Sequence, residues 1–321
     1  MDSSTLHSRS AWRRLAVLAA VLLFAWGGGA VYTLHLNVEM QLTRFMLERK
    51  LSWIRNRLPA DGRVLVFGGS SSSFSISPAH ALERGVPLGN LGMGAGIGAK
   101  ALTRLALAEA RRGDVLVMAL EPELLSGDGT ITLIGAQSAI VLGRPGLASG
   151  SEDPDPNADA GWSPWFWALR PGGHHAVTML GKVLQRRPLY RYAAADFFED
   201  GQQQTEVRGE LGGFRGEPLP RLSEWGRQWI RRTRGWCEAN GVELVYALPW
   251  TYTDPAHADE VRRRHGAFVA QVAEELEVLP DSRMGVVTER DWYCDTQFHM
   301  TLEGSRIRTG ALVDALQARR R

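Results

Sequence analysis

The chain has 321 residues, of which 44% are hydrophobic and 22% are charged, a balance typical of globular proteins. Its 37 basic and 35 acidic side chains leave a formal net charge of +2, so no overall field favours binding to nucleic acid. The two cysteines and eight histidines show no spacing typical of zinc ligands. We therefore predict neither a metal site nor a cofactor.

The N-terminal segment predicts a membrane anchor. Arg9, Arg13 and Arg14 precede an apolar run that continues to about Leu34. About 20 uncharged residues are enough to cross a hydrocarbon core of roughly 30 Å, and basic residues at one end favour the cytoplasmic side. We expect a cytoplasmic tail over residues 1–14, a single-pass anchor in the inner membrane over residues 15–34, and a periplasmic domain.

Two other interpretations of this segment remain open. The small residues Gly28–Ala30 suit a signal peptidase, so the apolar run could belong to a cleaved signal peptide. The paired arginines weakly resemble a twin-arginine export signal. All three interpretations export the domain.

The following segment, residues 35–58, predicts an amphipathic juxtamembrane helix that lifts the domain off the membrane or packs on it, because its apolar residues recur at helical spacing. Pro59 and Gly62 end this helix. Its apolar positions are Met40, Leu42, Phe45, Met46, Leu51, Ile54 and Leu58.

Residues 59–321 alternate short apolar strands with helices, which predicts an α/β domain with a mostly parallel sheet covered on both faces. In such sheets ligands bind beyond the carboxyl ends of the strands. The predicted strands are Arg63–Phe67, Pro87–Leu91, Asp114–Leu120 and Glu243–Leu248, with a weaker one near Met284–Val287. The predicted helices are Ala99–Arg111, Leu222–Ala239, Ala256–Glu274 and Leu302–Arg320.

A long irregular insertion, residues 125–218, interrupts this pattern and is rich in glycine, proline and aspartate. A connection of this length is usually a lid or a binding segment, or else is partly disordered. Its aromatic cluster is consistent with a small local core, with stacking on sugar rings, or with a membrane interface. The cluster consists of Trp162, Trp165, Phe166 and Trp167.

The run Ser70–Ser73 follows the first strand and two glycines. A serine run is usually a flexible linker, but this one lies at the carboxyl end of a strand, where a site is expected. The glycine-flanked turn would expose Ser70 as a candidate nucleophile. The other three serines, Ser71–Ser73, are interpreted as caps at the start of a helix.

Two later segments supply what a serine nucleophile needs, a base and donors for an oxyanion. Small residues in Leu88–Gly98 permit a substrate to approach backbone N–H groups closely. Asp295 and His299 precede the last helix, for which Thr301 is the predicted cap. His299 should therefore lie at the same edge of the sheet as Ser70.

These segments resemble the sequence blocks of SGNH (GDSL-type) hydrolases, in particular the membrane-anchored branch that modifies or helps to assemble cell-surface polysaccharides. Gly68-Gly69-Ser70 matches the block Gly-Asp-Ser, and Asn90-Leu91-Gly92 matches Asn-x-Gly. Asp295, His299 and Gly304 match the last block. The resemblance covers about residues 60–125 and 220–320, and it implies a flavodoxin-like three-layer sandwich.

The resemblance also implies roles for individual residues. Ser70 would be the nucleophile, His299 the general base and Asp295 the acid that orients it. The backbone N–H groups of Ser70 and Gly94 would form the oxyanion hole. No cofactor is implied.

The sequence departs from the family pattern in three places. Gly69 replaces the aspartate of Gly-Asp-Ser, and Glu121 follows the third strand where the family has an asparagine that donates to the oxyanion. Glu121 then either faces elsewhere, holds a sugar hydroxyl, or leaves the site impaired. Asp295 precedes His299 by one residue more than usual, so Asp291 is a rival for its role.

Two functions follow as hypotheses. The first is an anchored serine esterase or O-acyltransferase that acts on acyl esters, acetyl above all, of an extracellular or cell-wall polysaccharide. The second is a catalytically degenerate module that binds glycan or scaffolds polysaccharide export. The expected partners are an acylated glycan, the inner membrane and proteins of polysaccharide assembly, with Glu121, Asn90 and Trp250 as candidate substrate contacts.

The two cysteines are predicted to be free thiols. Cys237 should lie at the amino edge of the sheet and Cys294 at the carboxyl edge, since one ends a helix that feeds a strand and the other lies beside the proposed site. A strand of five residues separates the edges by roughly 17 Å, beyond the reach of a disulfide.

Overall fold

A computed structural model of the chain describes residues 3–162, 166, 168, 173–209, 211 and 221–319. It begins with the long helix α1, Ser3–Val31, which continues through a π-helical turn at Tyr32–Leu36. The stretch Ala11–Leu36 is long and apolar enough to cross a membrane, with a mean hydropathy of 2.0. The side chain of Asn37 then caps helix α2, Val38–Arg57, by accepting from the N–H groups of Glu39 and Met40.

The central sheet has four parallel strands, as the alternating sequence pattern predicts. These are β1 (Val64–Gly68), β2 (Leu88–Asn90), β3 (Val115–Ala119) and β4 (Glu243–Tyr246), in the spatial order β2-β1-β3-β4. The α/β class and the parallel sheet are thus confirmed, and each strand lies within one or two residues of its predicted bounds.

Helices cover both faces of this sheet. After β1 come α3 (Ser70–Ser75) and α4 (Pro78–Glu83); α5 (Ala99–Glu109) precedes β3, and α6 (Pro122–Ser126) follows it. The insertion contains α7 (Leu133–Val141) and α8 (Gly173–Leu184). The C-terminal part contains α9 (Glu224–Asn240), α10 (Ala258–Ala273) and α11 (Leu302–Arg319).

The two faces have separate cores because successive side chains of a strand point to opposite sides. Leu65 and Phe67 of β1 pack in a cluster with α2, α5 and α9, whereas Val64 and Val66 pack in a second cluster with α11. The predicted weak strand near Met284 is shorter than expected and lies outside the main sheet. It is β6 (Val286–Val287), paired with β5 (Thr251–Tyr252).

Helix α2 is part of the domain, because its apolar positions pack on the larger core rather than on a membrane. Met46, Leu51, Ile54 and Leu58 are buried there, with Leu42 and Phe45 packed against them.

The insertion is more ordered than its composition suggests. Its helix α7 packs on α2, and the buried Arg104 of α5 holds the next loop by donating to four of its carbonyls. These are the carbonyls of Leu147, Ser149, Ser151 and Asp153.

The aromatic cluster of the insertion is only partly described. Trp162 and Phe166 are 88% and 73% exposed, so these two residues do not form a local core. Trp165 and Trp167 lie outside the described residues. Cys237 and Cys294 are both free and buried.

A buried lysine joins α2 to the insertion. Lys50 is fully buried, and its Nζ donates to the carbonyl of Gly201 at 2.7 Å. Burial lowers the pKa of Lys50 to about 7, although the charge of Asp200 opposes the shift.

This lysine predicts a pH dependence of stability. A lysine in the unfolded chain titrates near 10.4, so between about pH 7 and pH 10 the unfolded state binds one more proton than the folded state. The free energy of unfolding should therefore rise with pH across this window, by at most about 1.4 kcal/mol per pH unit. In Lys50→Met this rise should be lost, as measured by chemical unfolding of the detergent-solubilised chain at pH 7, 8 and 9.

Lys182→Met is the matched control, because Lys182 is only half-buried. It should keep the rise of the parent chain. An unchanged slope in Lys50→Met would show that Lys50 is not the group responsible.

Candidate active site

The serine run forms a tight strand-to-helix turn, with Ser70 as the first residue of α3 and half-exposed. The N-cap is Gly69, so the interpretation of Ser71–Ser73 as caps is wrong. Those three serines are buried. The Ser71 hydroxyl donates to Glu121 at 2.6 Å, and the Ser72 hydroxyl donates to the carbonyl of Ala119 at 3.3 Å.

Glu121 lies behind this turn and holds it. One carboxylate oxygen accepts from the N–H of Gly69 at 3.0 Å, and the other accepts from the N–H of Ser71 at 3.1 Å. The side chain is buried and is absent from the lining of the cavity at Ser70. Burial raises the pKa of Glu121 above its ordinary value, while the bonds from Ser71 and Gly69 act in the opposite direction. Of the three alternatives for Glu121, the structure shows the first: its side chain faces away from the cavity at Ser70.

The position of Glu121 also accounts for Gly69. A Cβ atom on residue 69 would collide with both carboxylate oxygens of Glu121. A side chain at position 69 and the carboxylate at position 121 would therefore occupy the same volume. In this chain the carboxylate of Glu121, which follows β3, occupies it.

Asp295 and His299 form a hydrogen-bonded pair. Asp295 Oδ1 lies 2.9 Å from His299 Nδ1, and both residues are buried on a loop closed by the antiparallel bridge of Tyr293 with Met300. This loop accommodates the longer spacing between acid and base. The rival Asp291 is exposed, and no described contact joins its side chain to His299.

Two residues of the insertion complete this pair, and the sequence offered no signal for either. The Tyr192 hydroxyl donates to Asp295 Oδ2 at 2.7 Å, and Arg191 Nε lies 3.0 Å from the same oxygen. Burial alone would raise the pKa of Asp295, but bonds from His299 and Tyr192 and the Arg191 charge lower it below its ordinary value. Burial and the bond to Asp295 strongly raise the pKa of Tyr192. The acid therefore stays ionised beside the histidine.

The imidazole of His299 is oriented by α3 itself. Its ring stacks on Phe74 at 4.0 Å between centroids and 10° between planes. Phe74 follows Ser70 by one helical turn, so the two lie on one face of α3. With Nδ1 bonded to Asp295, the tautomer inferred from these bonds leaves Nε2 as the acceptor.

Ser70 and His299 line one cavity of about 320 Å³. Its walls come from the beginning of α2, from the 3₁₀ turn Ala95–Ile97 and from the insertion residues Tyr190, Tyr192 and Phe197. The Ser70 hydroxyl forms no hydrogen bond with any described residue, and so none with His299. In free enzymes such bonds are often long and tighten only with substrate.

Donors for an anion are present at this cavity. The N–H groups of Ser70 and Gly94 donate to no acceptor among the described residues, and both residues border the cavity. Gln203 of the insertion borders it as well; its Oε1 lies 3.4 Å from the Ser73 hydroxyl, and its amide nitrogen has no acceptor among the described residues. Gln203 is a third site residue, after Tyr192 and Arg191, for which the sequence offered no signal.

Asn90 and Trp250 do not line the cavity. Asn90 is 1% exposed; its amide nitrogen donates to the carbonyls of Ser72 and Ile76, and its oxygen accepts from the N–H of Gly92. Trp250 packs with Val287 in a separate cluster. The expectation that both residues contact a substrate in this cavity is therefore wrong. Asn90 joins β2 to α3 by hydrogen bonds, and Trp250 is a core residue.

Comparison with known proteins adds no constraint on identity. No protein-family model matches the chain, and neither a curated protein nor a solved structure matches it significantly.

The competition between residues 69 and 121 predicts non-additive substitutions. Gly69→Ala should destabilise the chain by its collision with Glu121, and Glu121→Ala should cost about 3 kcal/mol because it leaves buried N–H groups without acceptors. In the double variant the collision is gone. Its loss of stability should therefore be smaller than the sum of the two single losses by more than about 1 kcal/mol. Chemical unfolding of the four chains measures this coupling, and strict additivity would contradict it.

Tyr192 predicts an effect on the reactivity of the histidine pair. A hydrogen bond to a charged group contributes about 1.5–3 kcal/mol, so Tyr192→Phe should slow modification of Ser70 by a fluorophosphonate about tenfold. Tyr190→Phe, which also borders the cavity, is the control and should leave this rate unchanged.

Proposed function

We propose that the chain is a membrane-anchored serine esterase or O-acyltransferase that acts on acyl esters of an extracellular or cell-wall polysaccharide. It would be of the SGNH type, with a flavodoxin-like sandwich, and would work at the inner membrane with its domain in the periplasm and with proteins of polysaccharide assembly as partners. The observation that carries the proposal is that His299, hydrogen-bonded to Asp295, borders the same cavity as Ser70.

The arrangement provides each part that acyl transfer needs. Ser70 begins α3 two residues after β1 ends, and it borders the cavity. His299 has an ionised partner at Nδ1 and leaves Nε2 for the hydroxyl proton. The unpaired N–H groups of Ser70 and Gly94, with the amide of Gln203, offer donors for the developing negative charge.

The reaction then proceeds in two halves. Ser70 Oγ attacks the ester carbonyl and passes its proton to His299 Nε2; the C–O bond to the leaving alcohol breaks, and the alcohol takes that proton. The oxygen of water or of a sugar hydroxyl next bonds to the acyl carbon and gives its proton to His299 Nε2. The bond between the acyl carbon and Ser70 Oγ then breaks, and Ser70 Oγ takes that proton from His299. Water gives hydrolysis, and a sugar hydroxyl gives transfer.

The walls of the cavity support a glycan substrate. Tyr190, Tyr192 and Phe197 of the insertion place aromatic rings around it, and flat aromatic faces suit sugar rings. Burial, the charge of Glu39 and a hydrogen bond to Glu39 raise the pKa of Tyr190 to about 12, so its hydroxyl stays neutral. The insertion thus forms part of the cavity wall, which favours transfer over hydrolysis because it limits access of water.

A catalytically degenerate glycan-binding module is the second candidate. The observation that favours it is the lack of a hydrogen bond from Ser70 to His299, together with a glutamate where the family has a donor asparagine. Glu121 itself does not oppose an oxyanion, since its carboxylate is bonded behind the turn.

Covalent labelling distinguishes these functions. The full chain in detergent should react with a fluorophosphonate at Ser70, as mapped by peptide mass, because the probe needs both an activated serine and an oxyanion site. Ser70→Ala and His299→Ala should both abolish the label.

Ser72→Ala is the matched control, since Ser72 is buried and only donates to Ala119; it should keep the label. Labelling of another serine would refute Ser70 as nucleophile. A folded chain that takes no label would favour the binding module, and glycan affinity would then be the property to measure.

A further inference from the structure

The apolar anchor is in contact with the domain over part of its length. Leu15 to Ala25 are exposed, but from Trp26 onward the helix becomes partly covered, and Gly29 and Thr33 are buried. Trp26 Nε1 donates to the carbonyl of Phe166 at 3.2 Å, and the two rings stack at 6.4 Å.

This contact sets a limit on where the bilayer ends. At 1.5 Å per residue, Leu15 to Ala25 spans about 17 Å, little more than half of a hydrocarbon core of roughly 30 Å. The other half needs about 14 Å, which corresponds to Trp26 to Leu34. Within this stretch the domain buries Gly29 and Thr33 and partly covers Trp26, so part of the domain must share their depth.

The segment from Phe166 to Tyr190 has the composition that such a depth requires, and its two ends lie near the apolar stretch: Phe166 contacts Trp26, and Tyr190 lines a cavity together with Glu39. Between these ends, α8 carries four exposed apolar side chains that lie within an arc of about 120° at 100° per residue. We name these residues together with the two aromatic ones the interfacial face: Trp162, Phe166, Val177, Leu180, Val183 and Leu184.

Basic residues end this face. Arg186 and Arg187 are exposed directly after α8, and Arg186 turns the chain away with a φ of 54°. An apolar helix face bordered by arginines matches the boundary between acyl chains and anionic headgroups.

We propose that the interfacial face is embedded in the half of the bilayer on the domain side, with phospholipid as its partner. The anchor and this face then hold the domain at two points. The cavity lies beside them: Glu39 in its wall is at most about 11 Å from Leu36, the last residue of the apolar stretch, at 3.8 Å per residue. Tyr190, which lines the same cavity as Glu39, follows the end of α8 by six residues.

Lipid quenching of a dye on this face tests the proposal without any assay of activity. The full chain carrying Leu180→Cys is labelled with an environment-sensitive NBD dye and placed in nanodiscs with phospholipid spin-labelled in the acyl chain. Cys237 and Cys294 are buried, and the unsubstituted chain measures their background labelling. Emission at position 180 should shift to the blue and fall about twofold or more with the spin label, as for a group at the acyl boundary.

Glu238→Cys is the matched control, an exposed position at the end of α9 that leads to the amino edge of the sheet. Its emission should stay water-like and unquenched. Water-like emission at position 180 would overturn the proposal. Blue-shifted emission that the spin-labelled phospholipid does not quench would also overturn it, because protein rather than lipid would then cover the interfacial face. Val177→Cys provides a second position should Leu180→Cys unfold at a lower temperature than its parent.

Discussion

The carboxylate of Glu121 organises the site from behind. It is buried at the end of β3, and it accepts from two N–H groups and one hydroxyl of the turn that joins β1 to α3. A buried carboxylate is unfavourable without such partners, and a turn of unpaired N–H groups is unfavourable without an acceptor. Each satisfies the other, and the result fixes where Ser70 begins its helix. Gly69 follows as a steric consequence.

The insertion contributes to the site as much as the sheet does. Tyr192 and Arg191 hold Asp295, while Tyr190, Phe197 and Gln203 form walls of the cavity. The insertion is in turn held on the domain by two buried basic side chains: Arg104 donates to the loop after α7, and Lys50 donates to Gly201. The walls of the cavity thus come both from α2, which follows the apolar stretch Ala11–Leu36, and from the insertion.

Much of the fold was predictable because it is local. Runs of valine and leucine between helical segments predict buried parallel strands, and the four strands of the sheet lie close to their predicted bounds. The Asp295 and His299 pairing was also within reach, since both come from one short loop before α11. The sequence could not predict the roles of Asn90, Trp250 and Ser71–Ser73. A polar or aromatic residue near a strand end can face the cavity or the core with the same sequence pattern.

The sequence by itself determined an apolar N-terminal helix, an α/β class and a serine at the end of the first strand, because hydrophobic periodicity and glycine-bounded turns act over a few residues. Tertiary structure alone decided that Glu121 lies behind the turn, that Tyr192 and Gln203 reach the cavity, and that α2 belongs to the core. Those contacts join residues from 50 to 130 positions apart. Their partners depend on how helices and sheet pack together, and no local pattern records that.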